Sequence, residues 1–130
     1  MTVTSPRDTL QNMKRYLPLI AVALVIACSK QEKPLAPAGD TNHGKQLVEQ
    51  YGCTACHIIP GIDGPKGMVG PSLDHVASRP IIATSIPNTP ANVIAYIQNP
   101  QLANPQNVMP NLSVKPDEAR DIAAYLYTLK

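Results

Sequence analysis

Three stretches of the chain place apolar side chains at helical spacing, and each is bounded by residues that start or stop helices. The first covers about Thr41 to Tyr51. Asp40 or Thr41 can cap it, Leu47, Val48 and Tyr51 share one face, and Gly52 stops it. The second opens at Thr89-Pro90, a capping residue followed by proline at the first helical position; Val93, Ile94 and Ile97 then share a face ahead of Pro100. The third opens at Pro116, with Asp117 and Glu118 where the helix dipole favours negative charge. Ala119, Ile122, Ala123, Leu126 and Leu129 keep its repeat. No stretch alternates convincingly as a strand, so the pattern predicts an all-α domain over 40–130, with three to five short helices. The loops 58–88 and 99–115 are long for such a domain, and a flat cofactor wrapped by them would organise them.

A further apolar run, Leu17 to Ala27, follows Lys14 and Arg15. A membrane span needs ~20 apolar residues, so this shorter run fits the core of a secretory signal. It ends Val25-Ile26-Ala27-Cys28, which resembles the lipobox of bacterial lipoproteins; the resemblance implies that Cys28 carries lipid and becomes the N-terminus after cleavage. Met13 is the expected true start, because the segment from Met13 makes a complete signal of this kind by itself. Residues 1–27 are therefore read as a lipoprotein signal peptide. Residues 28–39, polar and Pro-rich, read as a flexible tether that reaches roughly 35–40 Å. The domain is expected outside the cytoplasm, lipid-anchored to a bacterial membrane.

Composition sharpens the need for a cofactor. The chain has no Phe, no Trp, five Tyr and 14 Pro, a thin supply for the core of so small a domain. Charge points away from nucleic acid: the whole chain carries +2, and removal of Arg7, Lys14, Arg15 and Asp8 with the leader leaves no net charge and no basic cluster.

Cys53-Thr54-Ala55-Cys56-His57 is a CxxCH, the pattern of covalent haem attachment. Two thiols three positions apart can both reach the vinyl groups on one porphyrin edge, and the next imidazole falls under the iron. Two other chemistries use such cysteines. A dithiol redox site would need a strand–turn–helix setting, which the pattern does not offer. A zinc site would need His43 or His75 as a fourth ligand beside Cys53, Cys56 and His57.

From about Thr41 to Lys130 the chain resembles class I cytochromes c, most closely the cytochrome c domain fused to subunit II of caa-type oxidases. The likeness rests on Gly44-Lys45-Gln46-Leu47, Tyr51-Gly52-Cys53, Gly70-Pro71-Ser72-Leu73-Asp74-His75-Val76-Ala77-Ser78-Arg79 and Asn88-Thr89-Pro90-Ala91-Asn92-Val93. It continues through Asn99-Pro100-Gln101, Met109-Pro110-Asn111-Leu112 and Ala123-Ala124-Tyr125-Leu126. The resemblance implies a cytochrome c fold around one haem c, with Cys53 and Cys56 as thioether anchors. It makes His57 and Met109 the two axial ligands of the iron, with Met68 as the rival thioether and His43 or His75 as rival imidazoles. It also implies that the Pro71 carbonyl orients His57, that Arg79 pairs with a haem propionate, and that Gly44 lies where the first and last helices cross.

Two departures stand out. Tyr96 takes the place of a common Trp at the haem wall, and Asn104-Pro105-Gln106 replaces a Lys-Pro-Gly, which removes a positive charge near the haem edge. Since no copper-binding segment or membrane hairpin precedes the domain, the expectation is a stand-alone carrier. It would take electrons from a membrane oxidoreductase and pass them to a terminal oxidase or reductase, with no small-molecule substrate. The alternatives are a fixed subunit of a respiratory complex, or a haem sensor or enzyme.

Overall fold

The computed structural model describes residues 36–65 and 67–130; the expected signal segment, Cys28 and most of the expected tether lie outside the described residues. Among the described residues three α-helices carry the fold: α1 (Thr41–Gln50), α2 (Pro90–Gln98) and α3 (Pro116–Leu126). Single 3₁₀ turns at Cys53–Ala55, Val76–Ser78 and Pro100–Leu102 punctuate the loops.

Each helix starts for a chemical reason. The Asp40 carboxylate accepts the N–H groups of Asn42 and His43 at 2.8 and 3.0 Å, satisfying two orphan donors of α1. The Thr89 hydroxyl accepts from Asn92 N–H at 3.3 Å ahead of Pro90. At α3 the Glu118 carboxylate turns back to accept the Lys115 N–H at 3.3 Å. The apolar repeat runs on to Leu129, yet α3 stops at Leu126. There the Thr128 hydroxyl takes the Tyr125 carbonyl at 2.6 Å, and the Leu129 carbonyl is used instead by Ala77 N–H at 3.0 Å.

α1 and α3 cross closely, and Gly44 permits it. A Cβ on Gly44 would run into the backbone carbonyl of Asp121. Around this contact Leu47, Val48, Ala119, Ile122 and Ala123 are buried. Polar bonds flank it: Asp121 accepts from Asp40 N–H and from His43 Nδ1–H, both at 2.8 Å, and Glu118 accepts the Tyr51 hydroxyl at 2.6 Å.

One element was not expected from the sequence. Ile81–Ile82 and Ile86–Pro87 pair as an antiparallel ribbon, β1 and β2, in register Ile82 to Ile86. Its turn carries Ala83 and Thr84 at φ 45° and 71°, where hairpin turns usually place Gly or Asn, so the usual turn signal is missing. Buried Asn88 fastens the ribbon to the core. Its amide donates to the carbonyls of Val76 and Arg79 at 2.8 Å each, and its own side-chain oxygen accepts the Tyr127 hydroxyl at 3.2 Å.

Gly44→Ala is expected to cost about 2–3 kcal/mol, because the obstacle is backbone and cannot rotate away; urea unfolding measures it. The His43–Asp121 pair gives a pH dependence. The bond to Asp121 raises the His43 pKa above its ordinary 6.5, with Asp40 and Glu118 adding to the field. The same bond holds Asp121 below the usual carboxylate range. A raised His contributes stability that is full below about pH 6.5 and is lost as pH rises through the shifted value; a lowered Asp loses its contribution as pH falls into the acid range. Thermal midpoints should therefore drop by a few degrees at most between about pH 6 and pH 9, the pair being exposed, and His43→Gln should flatten that slope.

Candidate cofactor site

Gly52, at φ 67°, ends α1 and turns the chain into the 3₁₀ turn that carries the two cysteines. Cys53, Cys56 and His57 all line one cavity of about 430 Å³. All three helices wall it: Val48 from α1, Val93, Tyr96 and Ile97 from α2, and Ile122 and Leu126 from α3. The loops add Ile59, Leu73, Val76, the first ribbon strand with Ala83 and Thr84 of its turn, and Met109. Apolar walls with a few convergent donors, at this volume, are what cofactor pockets look like.

The geometry discriminates among the chemistries open to a CxxCH. Cys53 and Cys56 are free thiols, and burial pushes the Cys53 pKa up. Redox dithiols need the opposite, a thiolate favoured near neutral pH. Among the described residues no group of three His, Cys, Asp or Glu side chains could hold a metal ion. His43 is engaged by Asp121, and His75 stands in solvent beside Asp74 at 3.4 Å. Neither lines the cavity.

His57 is held in a defined tautomer. Its Nδ1 lies 2.7 Å from the Pro71 carbonyl, which can only accept, so Nδ1 carries the proton and Nε2 is the nitrogen that bears the lone pair in the neutral ring. The ring packs on Gly70, where any Cβ would collide with it. Backbone bonds strap this loop down: Gly70 N–H to the Cys56 carbonyl at 2.9 Å and Leu73 N–H to the Ile58 carbonyl at 2.8 Å. The half-buried Arg79 also lines the cavity, and its guanidinium donates to the Ser72 and Asp74 carbonyls at 2.7 Å each.

Met109 enters the cavity from the 103–115 loop, while Met68 is 90 % exposed and lines none of it. Two side chains without an expected role grip Met109 by its backbone. Asn107 Oδ1 accepts the Met109 N–H at 3.0 Å, and Gln101 Nε2 donates to the Met109 carbonyl at 2.7 Å. The Asn107 amide also donates to the Tyr96 hydroxyl at 2.6 Å, which ties the loop to α2. Asn107 is legible in hindsight, since Asn commonly bonds the backbone two residues on. Gln101 belongs to the Asn99-Pro100-Gln101 segment but leaves no local signal of what it binds. Asn104 lines the cavity too, and its Oδ1 accepts the Gln106 N–H at 2.9 Å.

Comparison with known proteins decides the family: the model for cytochrome c matches residues 42–130. The chain belongs to the cytochrome c family. It is 31% identical over 90 residues to cytochrome c oxidase subunit 2 of Alkalihalophilus pseudofirmus, which covers 68% of this chain and 25% of that one. It is 29% identical over 115 residues to cytochrome c-552 of Bradyrhizobium diazoefficiens, covering 88% of this chain and 98% of the relative. The chain thus spans about a quarter of the oxidase subunit and nearly all of the c-552. It is a c-type cytochrome, an electron carrier. Family and cysteine spacing together support a covalently bound haem c. The residues fit that group: two unpaired thiols, an imidazole with Nε2 free, a thioether and apolar walls share one cavity. Among the described residues no helix is long and apolar enough to cross a membrane.

Asn107→Ala should cost about 1–3 kcal/mol, since it leaves the Met109 N–H without its partner. Hydrogen exchange should speed up at the amides of residues 107–112 and stay unchanged in α1 and α3.

Proposed function

We propose that this cytochrome carries one haem c, bound through Cys53 and Cys56, with His57 and Met109 as axial ligands. The observation that carries the reading is that His57, with its proton fixed on Nδ1, and Met109, gripped on both sides of its backbone, line the same apolar cavity. The haem supplies a one-electron couple at its iron. Pro71 and Gly70 orient His57; Gln101 and Asn107 orient Met109. A thioether favours the reduced iron, so this ligand pair sets a higher potential than two imidazoles would. With both ligand positions taken by side chains, no place remains for a substrate. Arg79, which lines the cavity while donating to the Ser72 and Asp74 carbonyls, would pair with a haem propionate.

In the cell the chain would be exported, lipidated on Cys28 after removal of residues 1–27, and held outside the cytoplasm by the 28–39 tether. From there it would shuttle electrons from a membrane oxidoreductase to a terminal oxidase or reductase. The near full-length likeness to a cytochrome c-552 supports a separate carrier. The likeness to part of an oxidase subunit favours a second reading, a fixed subunit of a respiratory complex. Retention of the chain on a purified complex after salt and detergent washing would select the second.

A pyridine haemochrome spectrum of the natively exported protein should report one covalent haem per chain. Met109→His should abolish the ferric thioether–iron charge-transfer band and lower the potential by on the order of 0.1 V or more, within the ~0.8 V that axial ligands span. A band that survives the substitution removes Met109 from the iron.

A further inference from the structure

Arg79 leaves the 3₁₀ turn Val76–Ser78 and reaches back to the segment that orients His57. His75, at φ 54°, reverses the chain ahead of that turn and so makes the return possible. The Arg79 bonds to the Ser72 and Asp74 carbonyls both leave from Nη2, at 2.7 Å each. They are charge-assisted, the stronger class of hydrogen bond. The Ser72 carbonyl lies one peptide beyond the Pro71 carbonyl, which accepts from His57 Nδ1–H. Both peptide planes flanking Ser72 are therefore pinned, one by the imidazole and one by the guanidinium. Each plane is rigid and only two dihedrals separate them, so releasing one loosens the other. Leu73 N–H, on the Ile58 carbonyl at 2.8 Å, and Asp74 N–H, on the Ser72 hydroxyl at 3.1 Å, complete the fastening.

Arg79 is itself held from behind. Buried Asn88 donates to the Val76 and Arg79 carbonyls at 2.8 Å each, and the Tyr127 hydroxyl reaches the side-chain and backbone oxygens of Asn88 at 3.2 and 3.3 Å. Tyr127 is buried as well, and neither it nor Asn88 lines the cavity. Linked contacts thus run from near the end of the chain to the imidazole, through Asn88, Arg79 and the Ser72 and Pro71 peptides. Resting on the reading of His57 as a haem ligand, we infer that Arg79, Asn88 and Tyr127 are positioning residues for that ligand. Arg79 holds the Ser72 peptide; Asn88 and Tyr127 fix the backbone from which the Arg79 side chain reaches. This role stands apart from any pairing of Arg79 with a propionate. The two carbonyl bonds use only Nη2, which leaves the Nε and Nη1 hydrogens to other acceptors.

The test follows hydrogen exchange by NMR in the exported, haem-loaded full chain, reduced and in detergent, at His57 Nδ1–H and at the Gly70 and Leu73 amides. Ring protons of an imidazole bound to the iron sit over the porphyrin and are displaced far upfield. Ordinary positions for the His57 ring in the wild-type protein would sink the ligand reading itself, whatever Arg79 does. Arg79→Lys keeps the positive charge, but its ammonium is a compact point charge that ends short of Nη2. It should speed exchange at all three groups about tenfold, while the Val48 amide in α1 changes less than about twofold. Tyr127→Phe removes one oxygen outside the cavity. It should speed the same three groups about threefold and leave the ferric thioether–iron band in place. Unchanged exchange at His57 in both variants overturns the inference and leaves Arg79 as a charge alone. Equal acceleration at Val48 overturns it too, since that is general loosening of the fold. So does acceleration at Gly70 and Leu73 without His57, because the strap then loosens while the ligand keeps its place. An effect of Arg79→Lys without any of Tyr127→Phe overturns the part given to Asn88 and Tyr127.

Discussion

The Pro71 carbonyl accepts a hydrogen bond from His57 Nδ1–H, and this bond joins two loops that no helix connects. It fixes which imidazole nitrogen is free, and it holds the 67–73 strap against the cysteine turn. Gly70 is needed for the same contact, because the ring occupies the space a side chain would take. The cavity's chemistry follows from that arrangement. The cysteines bring two thiols to one wall, the strap sets the imidazole, and the rest of the chain has only to supply an apolar enclosure and a thioether. A backbone carbonyl suits the orienting role because it accepts in a fixed direction and does not titrate.

The molecule divides its cohesion between two kinds of contact. Where α1 meets α3, side chains and backbone pack directly, with Gly44 allowing close approach and buried aliphatics filling the crossing. On the cavity side single polar residues hold the loops in place: Asn88 for the ribbon, Arg79 for residues 72–74, Gln101 and Asn107 for Met109. Apolar surface left open there favours a flat apolar body in it.

Periodic features were legible in the sequence, and non-periodic ones were not. Helix faces, a cap at Asp40 or Thr41 and the Thr89-Pro90 start announce themselves by spacing and residue type, so the three helices lie where the pattern predicts them. The end of α3 was blurred because Leu129 continues the repeat while its carbonyl serves Ala77. The ribbon escaped notice because Ala83 and Thr84 hold backbone angles normally left to Gly or Asn. The amides of Asn88, Gln101 and Asn107 reach carbonyls set by tertiary folding, a link that no local pattern records. Of the site residues, the CxxCH needed only its spacing. The resemblance already preferred Met109 to Met68, and the folded chain lines the cavity with the first and leaves the second in solvent.

The wall formed by residues 76–88 is locked by the last residues of the chain. Tyr127 holds Asn88 through its hydroxyl, and the Leu129 carbonyl holds Ala77. A polypeptide delivered N-terminus first therefore presents its CxxCH long before the latch for this side exists. That side of the cavity is closed only once residues 127–129 have docked against it.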